Sequence, residues 1–191
     1  MTPQESNKLV WWGYYDKNDS LLATLSFPNF PETADYSPIE KSLTYSNPTF
    51  IAVKPDRTKI VCVTANAGVL SIAECTPDTL IERIQIRYVA PDLIRDQQVI
   101  IVHKREAPVQ FCDVACDNNR IYVWYSGRSM KDSDMKSHHC HHLLVYDWQG
   151  NPIRRFYLEK ALYAMGYDEK RKVIYGIAYD PEGCLVEYNL H

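Results

Sequence analysis

One arrangement of residues occurs three times in this chain: an apolar run, an aspartate, a turn of three or four residues ending in a basic side chain, and a second apolar run. Phe50-Ile-Ala-Val-Lys-Pro-Asp56 leads through Arg57-Thr-Lys59 into Ile60-Val-Cys-Val-Thr64. Phe111-Cys-Asp-Val-Ala-Cys-Asp117 leads through Asn118-Asn-Arg120 into Ile121-Tyr-Val-Trp-Tyr125, and Tyr163-Ala-Met-Gly-Tyr-Asp168 leads through Glu169 to Lys172 into Val173-Ile-Tyr-Gly-Ile177. An internal repeat outranks any local reading, because a unit that recurs must pack against copies of itself.

The next runs also correspond. Val69 to Glu74, Leu143 to Trp148 and Leu185 to Leu190 take the place of a third strand, and Leu80 to Ile86 and Ile153 to Leu158 that of a fourth. Turn residues close each run: Gln149-Gly150-Asn151-Pro152, Asp168 to Lys172, and Asp180-Pro181-Glu182-Gly183. Four-stranded meanders stacked face to face are the architecture of a β-propeller. The expected fold is therefore all-β and β-propeller-like, with about three to four four-stranded antiparallel blades, partial relative to a six-bladed ring. A single domain over 1–191 is expected, with an N-terminal hairpin at 8–27, blades at 50–90 and 109–158, and an incomplete blade at 162–190. The hairpin is read from Leu9 to Tyr15 and Leu21 to Phe27. Pro28, Pro31, Pro38 and Pro48 mark a crossing segment that Tyr36 and Tyr45 would pin to the surface.

At Ile121 to Gly127, Leu144-Val-Tyr-Asp-Trp-Gln-Gly-Asn-Pro152, Tyr167-Asp168 and Ile174 to Ile177, with Pro55-Asp56 ahead of Ile60, the chain resembles the TolB-like six-bladed propellers of Bacteroides and its relatives. The resemblance covers roughly residues 35–190, and the Asp-Trp-x-Gly-x-Pro turn is its most specific piece. It implies a ring-shaped protein, periplasmic or at the cell surface, of which this chain is similar to the C-terminal half. It implies scaffold rather than activity.

Composition narrows the partners. Fourteen tyrosines against seven glycines suit sheet surfaces where a ring packs and its hydroxyl stays wet. A net charge of −3 gives no extended positive field, so nucleic acid is not expected as a partner. Residues 1–8 show no export signal, and no run is long and apolar enough for a membrane span. The six cysteines, at irregular spacing, read as buried free thiols, with disulfides left open. Cys112 and Cys116 stand four apart, and no second pair completes a zinc-type spacing.

The loudest local feature is Ser137-His-His-Cys-His-His142. Imidazole and thiolate are the ligands of zinc and copper sites, and an extended backbone would put His138, Cys140 and His142 on one face. Adjacent same-face positions lie about 7 Å apart and splay rather than converge, so no stoichiometric metal and no cofactor are expected. Asp132 and Asp134 read as a solvated loop, lacking the glycine and distal glutamate of a calcium hand. Of Trp11-Trp12 and Tyr14-Tyr15, half are expected to be core, because alternate strand residues face opposite ways, with a carbohydrate or peptide surface as the alternative. Asp113 and Asp117 read as strand-end or turn acids. No phosphate loop, nucleophile elbow or zinc-protease helix is present, and no catalytic residue is assigned.

The function expected is a binding or interaction module whose protein or small-molecule ligand is unassigned, with Ser126 to His142 as its recognition loop. The alternative is a hydrolase or lyase working in the propeller channel, which a deep channel with convergent carboxylates would favour. An incomplete last blade leaves a sheet edge open, which an N-terminal strand pairing with Leu185 to Leu190 in the same chain or in a homodimer would close, or which another polypeptide supplying the missing half would cover; a dimer or an incomplete propeller is expected over a closed four-bladed monomer.

Overall fold

The computed structural model describes residues 10–26, 37, 40, 48–77, 79–89, 94–96, 99–101, 106–129, 131, 137–179 and 182–190. These residues form fourteen strands. Among them no helix is long and apolar enough to cross a membrane.

β1 (Val10–Tyr15) and β2 (Leu21–Ser26) pair only with each other, around a turn in which the Asp16 carboxylate accepts the amides of Asn18 and Ser20, both at 2.8 Å. Then β3 (Thr49–Val53), β4 (Lys59–Thr64), β5 (Val69–Cys75) and β6 (Leu80–Arg87) form a four-stranded antiparallel meander. A short hairpin follows, β7 (Ile94–Asp96) with β8 (Val99–Ile101). β9 (Phe111–Cys116), β10 (Arg120–Tyr125), β11 (Cys140–Asp147), β12 (Pro152–Asp168), β13 (Val173–Tyr179) and β14 (Gly183–Asn189) make one six-stranded antiparallel sheet in chain order.

The all-β, partial-propeller architecture follows from how these sheets stack. Along β10, Ile121 and Val123 point to one side and Tyr122 and Trp124 to the other, because successive strand residues alternate. The first pair packs with Phe111, Val114, Tyr146 and Trp148 against Val61, Val63, Leu70 and Ile72 of the β3–β6 sheet. The second pair packs with Leu143 and Val145 against Leu162, Ile174 and Ala178, with Cys184, Val186 and Tyr188 of β14 at the margin. On the far side of the β3–β6 sheet, Cys62, Val69, Ala73 and Leu80 meet Leu25 and Ala23 of the N-terminal hairpin. Each of these buried aliphatic side chains is worth about 1.5–3 kcal/mol relative to exposure, so the stack is held by its faces.

Two expectations change. The strand runs Ile153 to Leu158 and Tyr163 to Asp168, read as ending one unit and starting the next, are a single strand, β12. Its first part pairs with β11 and its last part with β13, across a register jump from His142↔Tyr157 to Cys140↔Leu162. The N-terminal hairpin, expected to supply a strand for Leu185 to Leu190 within the chain or from another copy, does not do so in this chain. It packs through Leu25 on the β3–β6 sheet, leaving β14 an edge strand. Phe27, Tyr36, Tyr45, Asp132 and Asp134 lie outside the described residues, as do the side chains of Trp11 and Trp12. Tyr14 is half-buried and Tyr15 exposed, as alternation along the strand requires.

The repeated aspartates explain the turns. Asp56 accepts the Thr58 amide at 2.9 Å, Asp117 those of Asn119 and Arg120 at 2.7 Å each, and Asp168 those of Lys170 at 2.9 Å and Arg171 at 3.1 Å. A side-chain oxygen thus takes the amides that the reversing backbone leaves unpaired, and Arg57 and Lys172 can adopt positive φ (62° and 57°). In the Asp-Trp-x-Gly-x-Pro turn, Asp147 accepts Gln149 and Asn151 amides at 2.9 and 2.8 Å, and Gly150 sits at φ 82°. A Cβ there would also meet Ile84 at 2.9 Å, so glycine is required twice over.

Candidate functional site

The backbone separates the three side chains expected to share a face. Cys140 and His142 face opposite ways: Cys140 lies in the core with Leu143 and Leu162, whereas His142 lies beside Tyr125 and Tyr157, and the change falls at the register jump where β12 carries three extra residues. Cys140 is buried in the core under β12–β14, in the same apolar cluster as Cys112 of β9. His138 is exposed. Cys140 also donates to the His138 carbonyl at 3.5 Å. Cys140 therefore shares a core cluster with Cys112, a residue that sequence spacing did not join to it. The neighbouring Cys140 thiol, aided by His138, outweighs burial and holds the Cys112 thiol below its ordinary range, while Cys112 and burial push Cys140 up. His138 is raised by the neighbouring Cys112.

His142 belongs to a different cluster. Arg155 donates to its Nδ1 from Nε at 3.3 Å, and burial, with the Arg155 charge, keeps the imidazole below its usual value. Tyr157 is 71% exposed and stacks face to face on His141, with centroids 5.3 Å apart and planes within 5°, and it stands 5.4 Å from His142. His141 is fixed by a 3.0 Å hydrogen bond to the Leu158 carbonyl, and Tyr125 lies 6.2 Å from His142. Rings held edge and face by neighbours, yet open to solvent, form a preorganised flat surface. Among the described residues no three His, Cys, Asp or Glu side chains are arranged to hold a metal ion.

Asp117 is a turn acid, as read from the sequence, and more than that. It is 3% exposed, and besides the turn amides its carboxylate accepts the Tyr167 hydroxyl at 2.8 Å and that of Tyr122 at 3.1 Å, with the Lys172 ammonium at 3.5 Å. Burial raises the acid, but the amides and tyrosine hydroxyls together outweigh it and leave the carboxyl below its usual range. The group lines an open cleft of about 390 Å³ with Asn119, Arg120 and Leu190. Every lone pair of this carboxylate has a donor, which suits an architectural anchor better than a general base. The sequence signal for the tyrosines was only their abundance; what brings them to Asp117 is the curl of the six-stranded sheet, with Tyr122 on β10 and Tyr167 on β12.

The sheet stacking, the repeated turns and the Asp147 to Pro152 motif agree with the comparison to known families: the TolB-like 6-blade propeller-like family matches residues 23–170. The chain belongs to that family. Among solved structures the hydrazine synthase of Kuenenia stuttgartiensis overlays with a TM-score of 0.53 at 12% identity, covering 91% of this chain and 38% of that one. Hsv2 of Kluyvelomyces marxianus gives a TM-score of 0.41 at 8% identity over 74% of this chain and 33% of its own. At these identities the likeness of the first concerns the fold alone, and this chain spans well under half the length of either neighbour. No curated protein matches it. For this TolB-like chain, then, the residues must speak for function.

Proposed function

We propose that this TolB-like chain is a recognition module, a single propeller-like domain whose ligand is held on the exposed ring surface built from Tyr157, His141, His142 and Arg155. The observation that carries this reading is Tyr157 standing 71% exposed yet locked against His141 at 5.3 Å. An aromatic in that setting offers contact area with little side-chain entropy left to lose. It lies where the Ser126 to His142 insertion rejoins the sheet, and the Ser126 hydroxyl donates to the Ser137 carbonyl to pin the two ends of that insertion together. The ligand is one that presents a flat apolar face, such as a sugar ring. On a glycan array, Tyr157→Ala is expected to lose at least about tenfold in affinity for whatever the native chain binds, the scale of a single aromatic hot spot. Unchanged binding by the variant would move the site elsewhere on the protein.

The ring-completing partner that fits is a second copy. The outward face of β12–β14 carries Tyr163, Ile177, Tyr179 and Leu185, the last 71% exposed, whereas the middle strands β4, β5, β9 and β10 are buried on both faces. Two copies, each of about three blades, supply the six of the family. The open face of each copy then meets the hairpin side of the other, in two identical contacts around a two-fold axis. Light scattering is expected to give twice the 22.2 kDa chain mass, and Leu185→Asp to halve it. A native monomer would end this reading. The family resemblance also supports a periplasmic or cell-surface location, which cell fractionation tests directly.

A further inference from the structure

We propose that the ring surface takes an acidic sugar, a hexuronic acid whose pyranose face lies on Tyr157 while its carboxylate is gripped by the Arg155 guanidinium. This assignment rests on the recognition role proposed for that surface and adds the charge of the ligand to it. Both side chains leave β12 on the same side, since residues two apart on a strand share a face at a separation of about 7 Å. His142, across the ladder on β11, holds them next to each other: its ring stands 5.4 Å from that of Tyr157, and its Nδ1 accepts the Arg155 Nε at 3.3 Å. Burial and the Arg155 charge favour the neutral imidazole there, so it steadies the guanidinium without cancelling its charge.

The Arg155 charge has no acid to meet it. Elsewhere on these sheets an exposed arginine is matched by a glutamate: Arg83 donates to Glu74 at 2.7 Å, and Arg171 stands 3.1 Å from Glu187. Among the described residues no carboxylate pairs with Arg155, whose hydrogen bonds all go to His142. Arg154, one position earlier, turns to the other face and covers the Phe156 ring at 4.6 Å, a packing use that Arg155 lacks. Both arginines line a cleft of about 250 Å³ with Leu144 and Pro152, and no described residue along it is acidic. A guanidinium is a planar fork that fits a carboxylate through paired hydrogen bonds, and the contact with His142 leaves most of its N–H groups for that use.

The class of sugar follows from the two contacts together. In a hexuronic acid the carboxylate replaces the exocyclic hydroxymethyl group and stands at the edge of the ring, so the pyranose can lie flat on Tyr157 with its acid beside it. A sialic acid carries its carboxylate on a quaternary carbon, with a glycerol chain on the ring, and a sulfate is tetrahedral. Neither offers both a flat face and a planar acid.

The test is an array printed with hexuronate oligosaccharides, the same oligosaccharides after carboxyl reduction, and sialylated and sulfated glycans. The native chain is expected to bind hexuronates at least about tenfold more tightly than their reduced counterparts, the scale of a charge-assisted fork, and less tightly as salt rises. Arg155→Gln, a change at an exposed position, should bring that ratio close to one, and Arg155→Lys, which keeps the charge and loses the fork, should restore only part of it. Equal binding to a hexuronate and its reduced counterpart, a ratio that survives Arg155→Gln, or a preference for sialylated or sulfated glycans would overturn the acidic assignment, while a loss on Tyr157→Ala still upheld the ring surface. Native binding by Tyr157→Ala, or no glycan bound at all, would remove the ring surface and the acidic assignment together.

Discussion

Asp117→Ala is expected to lower the free energy of unfolding by about 3–5 kcal/mol, the scale of breaking a buried charge network from one side. The loss does not come from the Lys172 contact, which is half in solvent and screened. It comes from two turn amides and the Tyr122 and Tyr167 hydroxyls, all left facing a methyl group where a carboxylate had taken their hydrogen bonds. Asp117→Asn keeps one oxygen for the amides and should cost only about 1–2 kcal/mol. Urea unfolding with an unchanged slope would measure both. The pH dependence has a definite sign. Because the folded carboxyl lies below its unfolded value near about 3.9, its contribution is complete above that pH and is lost as the pH falls through the folded value. The native chain should therefore weaken in acid more steeply than Asp117→Asn does. Equal losses for the two variants would mean that the network is not what the carboxylate supports.

Trp148→Ala should be as damaging, at about 3–5 kcal/mol, or a fall in melting temperature on the order of 10 °C. Its ring is 4% exposed between the β3–β6 sheet and β9–β11, its indole N–H donates to the Asp117 carbonyl at 3.0 Å, and the Lys54 ammonium lies 5.9 Å over the ring. Removing it opens a cavity between two blades and frees a carbonyl next to the Asp117 network. Trp148→Phe keeps most of the packing and loses the hydrogen bond, for about 1–1.5 kcal/mol. Calorimetry on the three proteins would show the graded series, and a Phe variant as unstable as the Ala variant would shift the weight from packing to the indole N–H.

The Asp-Trp-x-Gly-x-Pro turn shows how much of this fold was legible in residues alone. Its aspartate, glycine and proline announce a strand end, and Trp148 after Asp147 announces something large to bury. Continuous apolar runs such as Ile121 to Tyr125 similarly announced a strand, and the structure buries this one on both faces. Reading failed where structure departs from that period. β7 and β8 are three residues each, too short to display one. The polar Glu159-Lys160 looked like a connection, yet they lie within β12.

The candidate site was legible in part for the same reason. His138 to His142 stood out by composition, but placing Cys140 and His142 on one face assumed an unbroken ladder, and the slip beside Cys140 reverses it. Cys112 and Cys140 are 28 positions apart, on β9 and β11 of one sheet, and share a single core cluster that no spacing rule announces. Tyr157 carries no sequence mark that separates it from thirteen other tyrosines; its exposure is a property of the stack.

The unbroken course of β12 divides the molecule by cooperativity rather than by shape. β9 to β14 share one continuous hydrogen-bonded backbone, so opening either half of that sheet disturbs the strand on which the other half depends. The β3–β6 sheet is attached mainly through side chains on its faces and a few single bonds, such as that from the Cys116 thiol to the Val53 carbonyl at 3.3 Å. The larger sheet is thus one foldon, and the smaller one can come away from it in a sub-global opening at lower free energy, exposing Val61, Val63, Leu70 and Ile72 before the rest of the protein yields.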